Sequence, residues 1–111
     1  MSKIVTLNKN GIFRRAFSKG RQFVSPVLVT YIIKNRISNK RIGIITSKKI
    51  GKACKRNRAR RVIKEAYRLI LDSVLPGYDI VFVARGKTPF VKMKVLQKEM
   101  LEQLNKAGII A

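Results

Sequence analysis

The densest group of charged side chains in this sequence is basic and lies near the middle of the chain. Nine lysines and arginines stand between Lys48 and Lys64, and no acidic residue precedes Glu65. Arg56, Arg60 and Lys64 recur at intervals of four residues. On a helix this spacing places the side chains one turn apart along one face, which suits contacts with successive phosphates. The pattern predicts a nucleic-acid-binding surface rather than a solvated helix face of mixed charge.

The charge of the whole chain agrees with a polyanionic partner. Its 111 residues include 26 Lys and Arg, 5 Asp and Glu and no His, for a formal net charge of +21. A solvated surface normally mixes both signs. Here all five acids lie at or beyond position 65. An imbalance of this size indicates binding to nucleic acid.

Catalysis by the chain's own side chains is not supported by the sequence. A protein nuclease usually needs clustered carboxylates or histidines to hold metal ions or to move protons. The five acids are scattered: Glu65, Asp72, Asp79, Glu99 and Glu102. Glu65 is spaced to orient Arg61 or Arg68. We therefore predict no catalytic residue and no metal site in the protein.

Cys54 is the single cysteine, so an internal disulfide is excluded. Its basic neighbours Lys55 and Arg56 favour a reactive thiolate, whereas the lack of any histidine removes the usual base. We interpret Cys54 as a small residue at the entry of a helix and assign it no chemistry.

Length and composition predict one domain, residues 1–111, with a core of modest size, because 46% of the residues are hydrophobic. The longest apolar runs are far shorter than a membrane span. The N-terminal MSKIVTLNKN lacks the apolar centre of a signal peptide. We expect a soluble cytoplasmic protein.

The elements before the basic run are one helix and three strands. LNKNGIFRRAFSKG predicts a helix near 9–19, with asparagine as a cap and Gly20 as a stop. Pro26 precedes the β-branched run VLVTYIIKN, which predicts a strand at 27–34, and RQFVS before it predicts a short edge strand. RIGIITS predicts a strand at 41–47 that forms a hairpin with 27–34.

The basic run itself is predicted to lie on a helix at about 56–71. Its apolar stripe consists of Ala59, Ile63, Ala66 and Ile70, widened by Val62 and Leu69. We expect the cations at four-residue spacing on the side opposite this stripe. In the strand before the helix, Gly43 indicates a close backbone approach or a kink.

The last part of the chain predicts a strand and a helix. DIVFVAR is almost continuously apolar, which predicts a central strand at 79–85 that is covered on both faces. A crossover helix would make it a parallel neighbour of the strand at 41–47. The final helix, 91–107, ends at Gly108 and points these residues inward: Met93, Leu96, Met100, Leu104 and Ala107.

Three aromatic residues have two interpretations each. Phe13 and Phe17 recur at helical spacing, which is typical of core residues. Exposed aromatics beside a basic surface also stack on unpaired bases. Tyr31 fits both cross-strand packing and a stacking platform.

The run SKKIGKACKRNRARRVIKEAYR resembles the signature of the bacterial ribonuclease P protein component. The match includes the SKKIG lead, Ala53, the RNR triplet at 56–58 and the arginine pair at 60–61, followed by Glu65. It extends to FRRAF, VLVTYI, RIGI and GYDIVFVAR. Lys64 stands where Arg is more usual, which keeps the charge and gives up a bidentate fork. The basic segment before the first helix is also short.

The resemblance implies a fold and a role. The fold is α+β, a small two-layer sandwich with a mixed four-stranded sheet and three helices in the order α-β-β-β-α-β-α, and with a left-handed βαβ crossover. The role is that of the protein subunit of a ribonucleoprotein enzyme, monomeric within the particle. Its catalytic RNA removes the 5′ leader of precursor tRNA, with Mg²⁺ bound mainly by the RNA.

The resemblance also implies two binding surfaces. The surface for the catalytic RNA would consist of Lys52, Arg56, Asn57, Arg58, Arg60 and Arg61. The cleft for the single-stranded leader would use Phe13, Phe17, Tyr31, Ser47 and Lys49, with Arg60 and Lys64 at its rim. A rigid helix suits folded RNA, and aromatic rings accept unstacked bases without reading much sequence.

Two other classes of protein share part of this pattern. A ribosomal or general RNA-binding protein would carry the same charge, but it has no reason to reproduce the spacing from KKIG to RNR. A protein-only nuclease would need the clustered acids or histidines that this sequence lacks.

Overall fold

The computed structural model describes residues 5–7 and 10–111. Its strands are β1 Val5–Thr6, β2 Arg21–Val24, β3 Leu28–Lys34, β4 Lys40–Ile45 and β5 Tyr78–Ala84. Its α-helices are α1 Asn10–Lys19, α2 Ala53–Ile70 and α3 Met93–Lys106. The predicted helix near 9–19 is thus present, although position 9 lies outside the described residues.

The strands form one mixed sheet in the order β1-β4-β5-β3-β2. β5 is central: it pairs antiparallel with β3 and parallel with β4. Ile80, Val81 and Phe82 are fully buried. The predicted central strand, its parallel neighbour and the edge strand β2 are all confirmed.

The predicted hairpin between β3 and β4 is wrong, because β5 lies between these two strands. The loop before β5 occupies the place where a hairpin would close. Gly77 accepts a hydrogen bond from the Asn35 N–H (2.8 Å) and donates one to the Asn39 carbonyl (3.1 Å). Its φ of +96° is a conformation that glycine adopts without strain. The turn at residues 35–39 therefore reverses the chain around an inserted strand.

The helices cover both faces of the sheet. α2 and α3 pack on the face that carries Ile80 and Phe82, where the larger core cluster lies. α1 packs on the opposite face, where Ala16 and Val81 share a smaller cluster with Leu7. Neighbouring residues of a strand point to opposite faces, so β5 contributes to both clusters.

The predicted α+β fold is confirmed, with its mixed sheet, three helices and order of elements. Two features add to it. The two-residue strand β1 pairs parallel with β4 at the sheet edge and is too short to have a periodic pattern. The single helix α1 adds a partial layer to the predicted two-layer sandwich. The hand of the β4-α2-β5 crossover stays a prediction.

The apolar stripe of α2 is confirmed at Ala59, Ile63, Ala66 and Ile70, which are all buried. Its predicted widening at Leu69 is wrong, because Leu69 is exposed. Tyr67 takes that role instead and packs its ring 5.7 Å from the ring of Phe82.

On α3, Leu96, Met100 and Leu104 are buried as predicted, and a polar residue joins them. Gln103 donates to the carbonyls of Phe23 (3.3 Å) and Leu28 (3.0 Å) and accepts a hydrogen bond from the Thr30 hydroxyl. These bonds satisfy a buried amide and tie α3 to the edge of the sheet.

Among the described residues, none of the helices combines the length and apolar character needed to cross a membrane.

Candidate nucleic-acid interface

The cations of α2 lie along two sides of the helix. The predicted position of Arg56, Arg60 and Lys64, on the side opposite the apolar stripe, is wrong. This row instead runs beside β4. Arg56, at its start, is half-buried and donates to the carbonyl of Gly51 at 3.5 Å. A four-residue step turns about 40° beyond one full turn. A row that begins next to the buried stripe therefore moves outward towards Lys64.

Arg60 is held in place by the end of β4. Its guanidinium donates to the Ile44 carbonyl at 3.3 Å and to the Thr46 hydroxyl at 3.0 Å. These two bonds leave donors free among the five of a guanidinium. Arg60 thus presents an oriented cation at the surface.

The remaining residues predicted to contact a catalytic RNA are exposed. Arg58 and Arg61 lie on the outer side of α2, and Asn57 lies between the two rows. Lys52 immediately precedes the helix, where its carbonyl accepts from the backbone N–H of Lys55 (3.0 Å). The first two turns of α2 therefore carry most of this predicted surface.

Glu65 is paired with Arg68 and not with Arg61. The Arg68 Nε donates to Glu65 Oε2 at 3.1 Å, and a second bond joins the other nitrogen and oxygen. This hydrogen bonding from Arg68 lowers the pKa of the Glu65 carboxyl. Glu65 is therefore charged beside the basic rows and orients an arginine, which is one of the two partners predicted.

Phe17 and Tyr31 form an aromatic pair at the surface of the sheet face that α1 covers. Their ring centroids are 4.8 Å apart and the rings are nearly perpendicular, at 83°. Phe17 is 42% exposed, and the Tyr31 hydroxyl accepts a hydrogen bond from the Gln22 amide at 3.0 Å. The edge-to-face contact fixes the two rings relative to each other, with Phe17 exposed and Tyr31 half-buried.

Phe13 occupies a different environment although it is only one helical turn from Phe17. It is half-buried and packs against the smaller core cluster, directly over Gly43. A Cβ at Gly43 would lie 2.4 Å from the ring carbon Cε1 of Phe13. The close approach predicted at Gly43 is therefore confirmed, and its cause is this ring. Phe13 also lines a cavity of about 130 Å³ beside Arg60 and Lys64.

Ser47 and Lys49 line an open groove of about 480 Å³ on the sheet. Gln22, Val29 and Val83 contribute to the same groove, and Gln22 connects it to the Phe17 and Tyr31 pair. Four of the residues predicted for a leader cleft are thus close to one continuous surface. Phe13 and Lys64 lie apart from it, at the outer edge of β4.

Two groove residues were missed by the sequence reasoning. Gln22 lies directly opposite Tyr31 in the β2 and β3 pairing. Arg85 follows β5, lines the groove and donates to the Ser25 carbonyl at 3.0 Å. Alternation along RQFV places Gln22 on one face together with Val24, but only the pairing shows that this face carries Tyr31.

Asp79 is committed to a buried ion pair. Its two oxygens accept from Arg41 at 2.8 and 2.9 Å, and the Asn35 amide donates to it at 2.9 Å. The hydrogen bond from Arg41 to Asp79 raises the pKa of the arginine. Across the part of the chain that the structure describes, no three His, Cys, Asp or Glu side chains are grouped to hold a metal ion.

A comparison with known families decides where the chain belongs. The sequence profile of the Ribonuclease P family matches residues 1–108.

The chain belongs to the ribonuclease P protein family.

Relatives and solved structures agree with this assignment. The chain is 44% identical to the ribonuclease P protein component of Clostridioides difficile strain 630 over 104 residues, which cover 93% of this chain and 91% of the relative. For the ribonuclease P protein component of Natranaerobius thermophilus, the identity is 33% over 110 residues, which cover 99% of this chain and 96% of the relative.

Among solved structures, the RNase P protein of Staphylococcus aureus superposes with a TM-score of 0.85 at 29% identity, covering 98% of this chain and 100% of that one. The RNase P protein from Thermotoga maritima superposes with a TM-score of 0.81 at 27% identity, covering 91% of this chain and 96% of that one. These comparisons confirm the resemblance to the bacterial ribonuclease P protein component that the basic run and its flanking elements indicated.

Proposed function

We propose that this protein is the RNA-binding subunit of a ribonuclease P particle and that it holds both the catalytic RNA and the single-stranded 5′ leader of precursor tRNA. The observation that carries the proposal is the arrangement of two surfaces around one sheet. The pair of the exposed Phe17 and the half-buried Tyr31 adjoins the groove of Ser47 and Lys49 on one face. The basic rows of α2 lie on the helix that packs on the other face.

The groove suits an unpaired strand. Aromatic rings stack on bases of any identity, and a lysine and a serine hydroxyl contact phosphate or sugar oxygens. The sheet beneath is rigid, since β5 is paired on both sides along its length. A leader of variable sequence would therefore bind here mainly through its stacked bases and its backbone.

The outer part of α2 suits folded RNA. We assign to this surface the exposed Lys52, Asn57, Arg58, Arg60 and Arg61, and the half-buried Arg56. A helix held by a buried stripe presents these donors at fixed positions, which matches phosphates that are themselves fixed by RNA structure. Arg60 is oriented further by the end of β4.

The chemistry in this proposal belongs to the RNA and its Mg²⁺ ions. In-line attack on a phosphodiester usually requires metal ions held by adjacent carboxylates. Here Asp79 is enclosed by Arg41 and Asn35, and Glu65 is bonded to Arg68. The described side chains do not fit a protein-held metal pair. The protein would instead neutralise phosphate charge and so lower the Mg²⁺ requirement of the RNA. We expect a cytoplasmic particle with the protein as a monomer.

The test compares two substrates in a particle reconstituted with a transcribed bacterial ribonuclease P RNA. Phe17→Ala and Tyr31→Ala should weaken binding of leader-bearing precursor tRNA by about 1–3 kcal/mol, the usual cost of a lost base stack. Binding of mature tRNA should change little. Val95→Ala, on α3, removes an apolar side chain of similar exposure (47% against 42% for Phe17) and serves as the control.

An equal loss for both tRNAs would contradict the leader assignment. Equal affinity for unrelated structured RNAs, without any leader dependence, would favour a general RNA-binding protein instead. Unfolding curves of each variant would separate these results from a loss of fold, because a core aromatic costs about 3–5 kcal/mol of stability when it is replaced by alanine.

A further inference from the structure

Phe90 is the most exposed of the large apolar side chains that the structure describes, at 67%. It ends a short 3₁₀ turn, Thr88–Phe90, between β5 and α3. Its backbone N–H donates to the Lys87 carbonyl at 3.0 Å. The aromatic ring therefore projects from an ordered backbone segment.

The turn below Phe90 is anchored in the core. Thr88 is fully buried: its hydroxyl donates to the Val27 carbonyl at 2.6 Å and accepts from the Arg85 N–H at 2.7 Å. Pro89 is buried beside it. A ring that is exposed on such a fixed support loses little conformational freedom when a ligand covers it.

Three cations of α2 share a hollow with the ring. Lys55 places its ammonium 5.1 Å from the ring centroid, within the range of a cation-π contact. Arg58 and Arg61 line the same hollow of about 490 Å³, together with Cys54 and Pro89. Three-residue spacing brings these cations to one side of the helix. This outer row is separate from the row of Arg56, Arg60 and Lys64.

Among the described residues, none that lines the hollow is acidic. The first acid along α2, Glu65, lines a neighbouring groove and is bonded to Arg68. A flat apolar ring in a hollow lined by three cations is complementary to an unpaired nucleotide, whose base stacks and whose phosphates are anionic. A base inside a duplex is already stacked on both sides, so duplex RNA would leave the ring unused.

We propose that Phe90 is a stacking platform for one unpaired base of the catalytic RNA, with Lys55, Arg58 and Arg61 on the adjoining phosphates. This proposal rests on the proposed function, since it extends the α2 surface for that RNA to the turn before α3. It is a second aromatic site, because the Phe90 hollow and the leader groove share no lining residue in the part of the chain that the structure describes.

The absence of tryptophan from the sequence provides a direct probe. Phe90→Trp introduces a single indole at the platform, and Ile37→Trp places one at another exposed apolar position, in the turn between β3 and β4. Titration with a transcribed bacterial ribonuclease P RNA should quench the fluorescence of Trp at position 90 with the affinity of the complex. The control at position 37 should change little.

Affinity measurements complete the test. Phe90→Ala and Phe90→Leu should weaken binding of the RNA by roughly 5- to 150-fold, because leucine keeps apolar bulk but lacks a stacking face. Phe90→Tyr should retain the parent affinity, and Ile37→Ala should have no effect. Circular dichroism would verify that each variant is folded.

The outcomes distinguish this inference from the function on which it rests. Unchanged affinity in Phe90→Ala, or an unquenched indole at position 90, overturns the stacking platform. If Arg58→Glu with Arg61→Glu weakens RNA binding in that case, the α2 surface survives without Phe90. If neither change has an effect, the assignment of α2 to the catalytic RNA fails as well. Self-association that depends on Phe90 would also overturn the platform, in favour of a protein contact.

Discussion

The carboxylate of Asp79 accepts two side-on hydrogen bonds from Arg41, at 2.8 and 2.9 Å. It accepts a third from the side-chain amide of Asn35. Asp79 is on the central strand and Arg41 is its register partner on the parallel neighbour β4. Asn35 directly follows the antiparallel neighbour β3. One buried carboxylate therefore connects the three strands whose order the local sequence did not predict.

We expect Asp79→Asn to lower the free energy of unfolding by about 3 kcal/mol, because it removes one partner of a buried ion pair and leaves Arg41 without its counter-charge. Glu102→Gln, at an exposed position on α3, makes the same change in net charge and should stay within about 0.5 kcal/mol of the parent. Urea unfolding measures both. The variant should also support leader removal in the reconstituted particle. If Asp79→Asn is folded and binds RNA with normal affinity but abolishes leader removal, the non-catalytic role of this acid is contradicted.

Tyr67 should make the stability of the protein sensitive to alkaline pH. Its hydroxyl is buried with no hydrogen-bond partner among the described residues, and burial raises the pKa of the phenol to about 12. A tyrosine in the unfolded chain ionises near pH 10, before the buried Tyr67 does. The free energy of unfolding should therefore be unaffected by this group below pH 10 and fall by roughly 2–3 kcal/mol between about pH 10 and 12.

Tyr67→Phe tests this directly, because phenylalanine keeps the ring contact with Phe82 and removes the buried hydroxyl. We expect it to equal or exceed the parent in stability at pH 7, by up to about 1 kcal/mol. The difference should grow in favour of the variant as the pH rises from 10 to 12. Guanidinium unfolding at several pH values gives the comparison, and parallel curves for the two proteins would refute the expected titration.

The row beside β4 should act through charge. Arg60→Glu with Lys64→Glu should leave thermal unfolding nearly unchanged, since both side chains are exposed. RNA affinity should fall, and the slope of log affinity against log salt should flatten by about 0.7–0.9 for each lost phosphate contact. Lys98→Glu with Lys106→Glu, on α3, is the matched change in charge. Equal effects of the two pairs would mean that only net charge matters.

The contact between Gly43 and Phe13 should be sensitive to one methyl group. Gly43→Ala would place a Cβ 2.4 Å from the ring and force it to move. We expect a loss of about 1–3 kcal/mol in stability. Phe13→Leu in the same chain should restore part of that loss because it removes the clashing ring atoms. A double-mutant cycle by urea unfolding measures the coupling, and additive effects would show that the ring does not restrain Gly43.

Local periodicity was sufficient for much of the fold. The stripe of Ala59, Ile63, Ala66 and Ile70 predicted α2, and the continuous apolar run of DIVFVAR predicted a central strand. A helix that connects two strands of one sheet also implied that β4 and β5 are parallel. These features depend on residues that are near each other in sequence, or on a chain connection that the sequence itself contains.

The position of β5 between β3 and β4 depends on pairing between distant parts of the chain. A turn such as that at residues 35–39 is compatible both with a hairpin and with an inserted strand. The Gly77 hydrogen bonds to Asn35 and Asn39 separate these possibilities, and they form only when the sheet is assembled. Long-range pairing of this kind leaves no periodic signal in either strand.

The basic charge of the interface was already determined by the sequence, through nine cations between Lys48 and Lys64 with no intervening acid. Only the tertiary structure decided how they are used. The rotation of α2 on the sheet turns Arg60 towards β4 and Lys55 towards Phe90, a residue 35 positions further along. Phe13 and Phe17 illustrate the same limit: they are identical residues one helical turn apart, but the two rings pack against different residues of the sheet. Gly43 leaves room for one ring in the core, while Tyr31 holds the other at the surface.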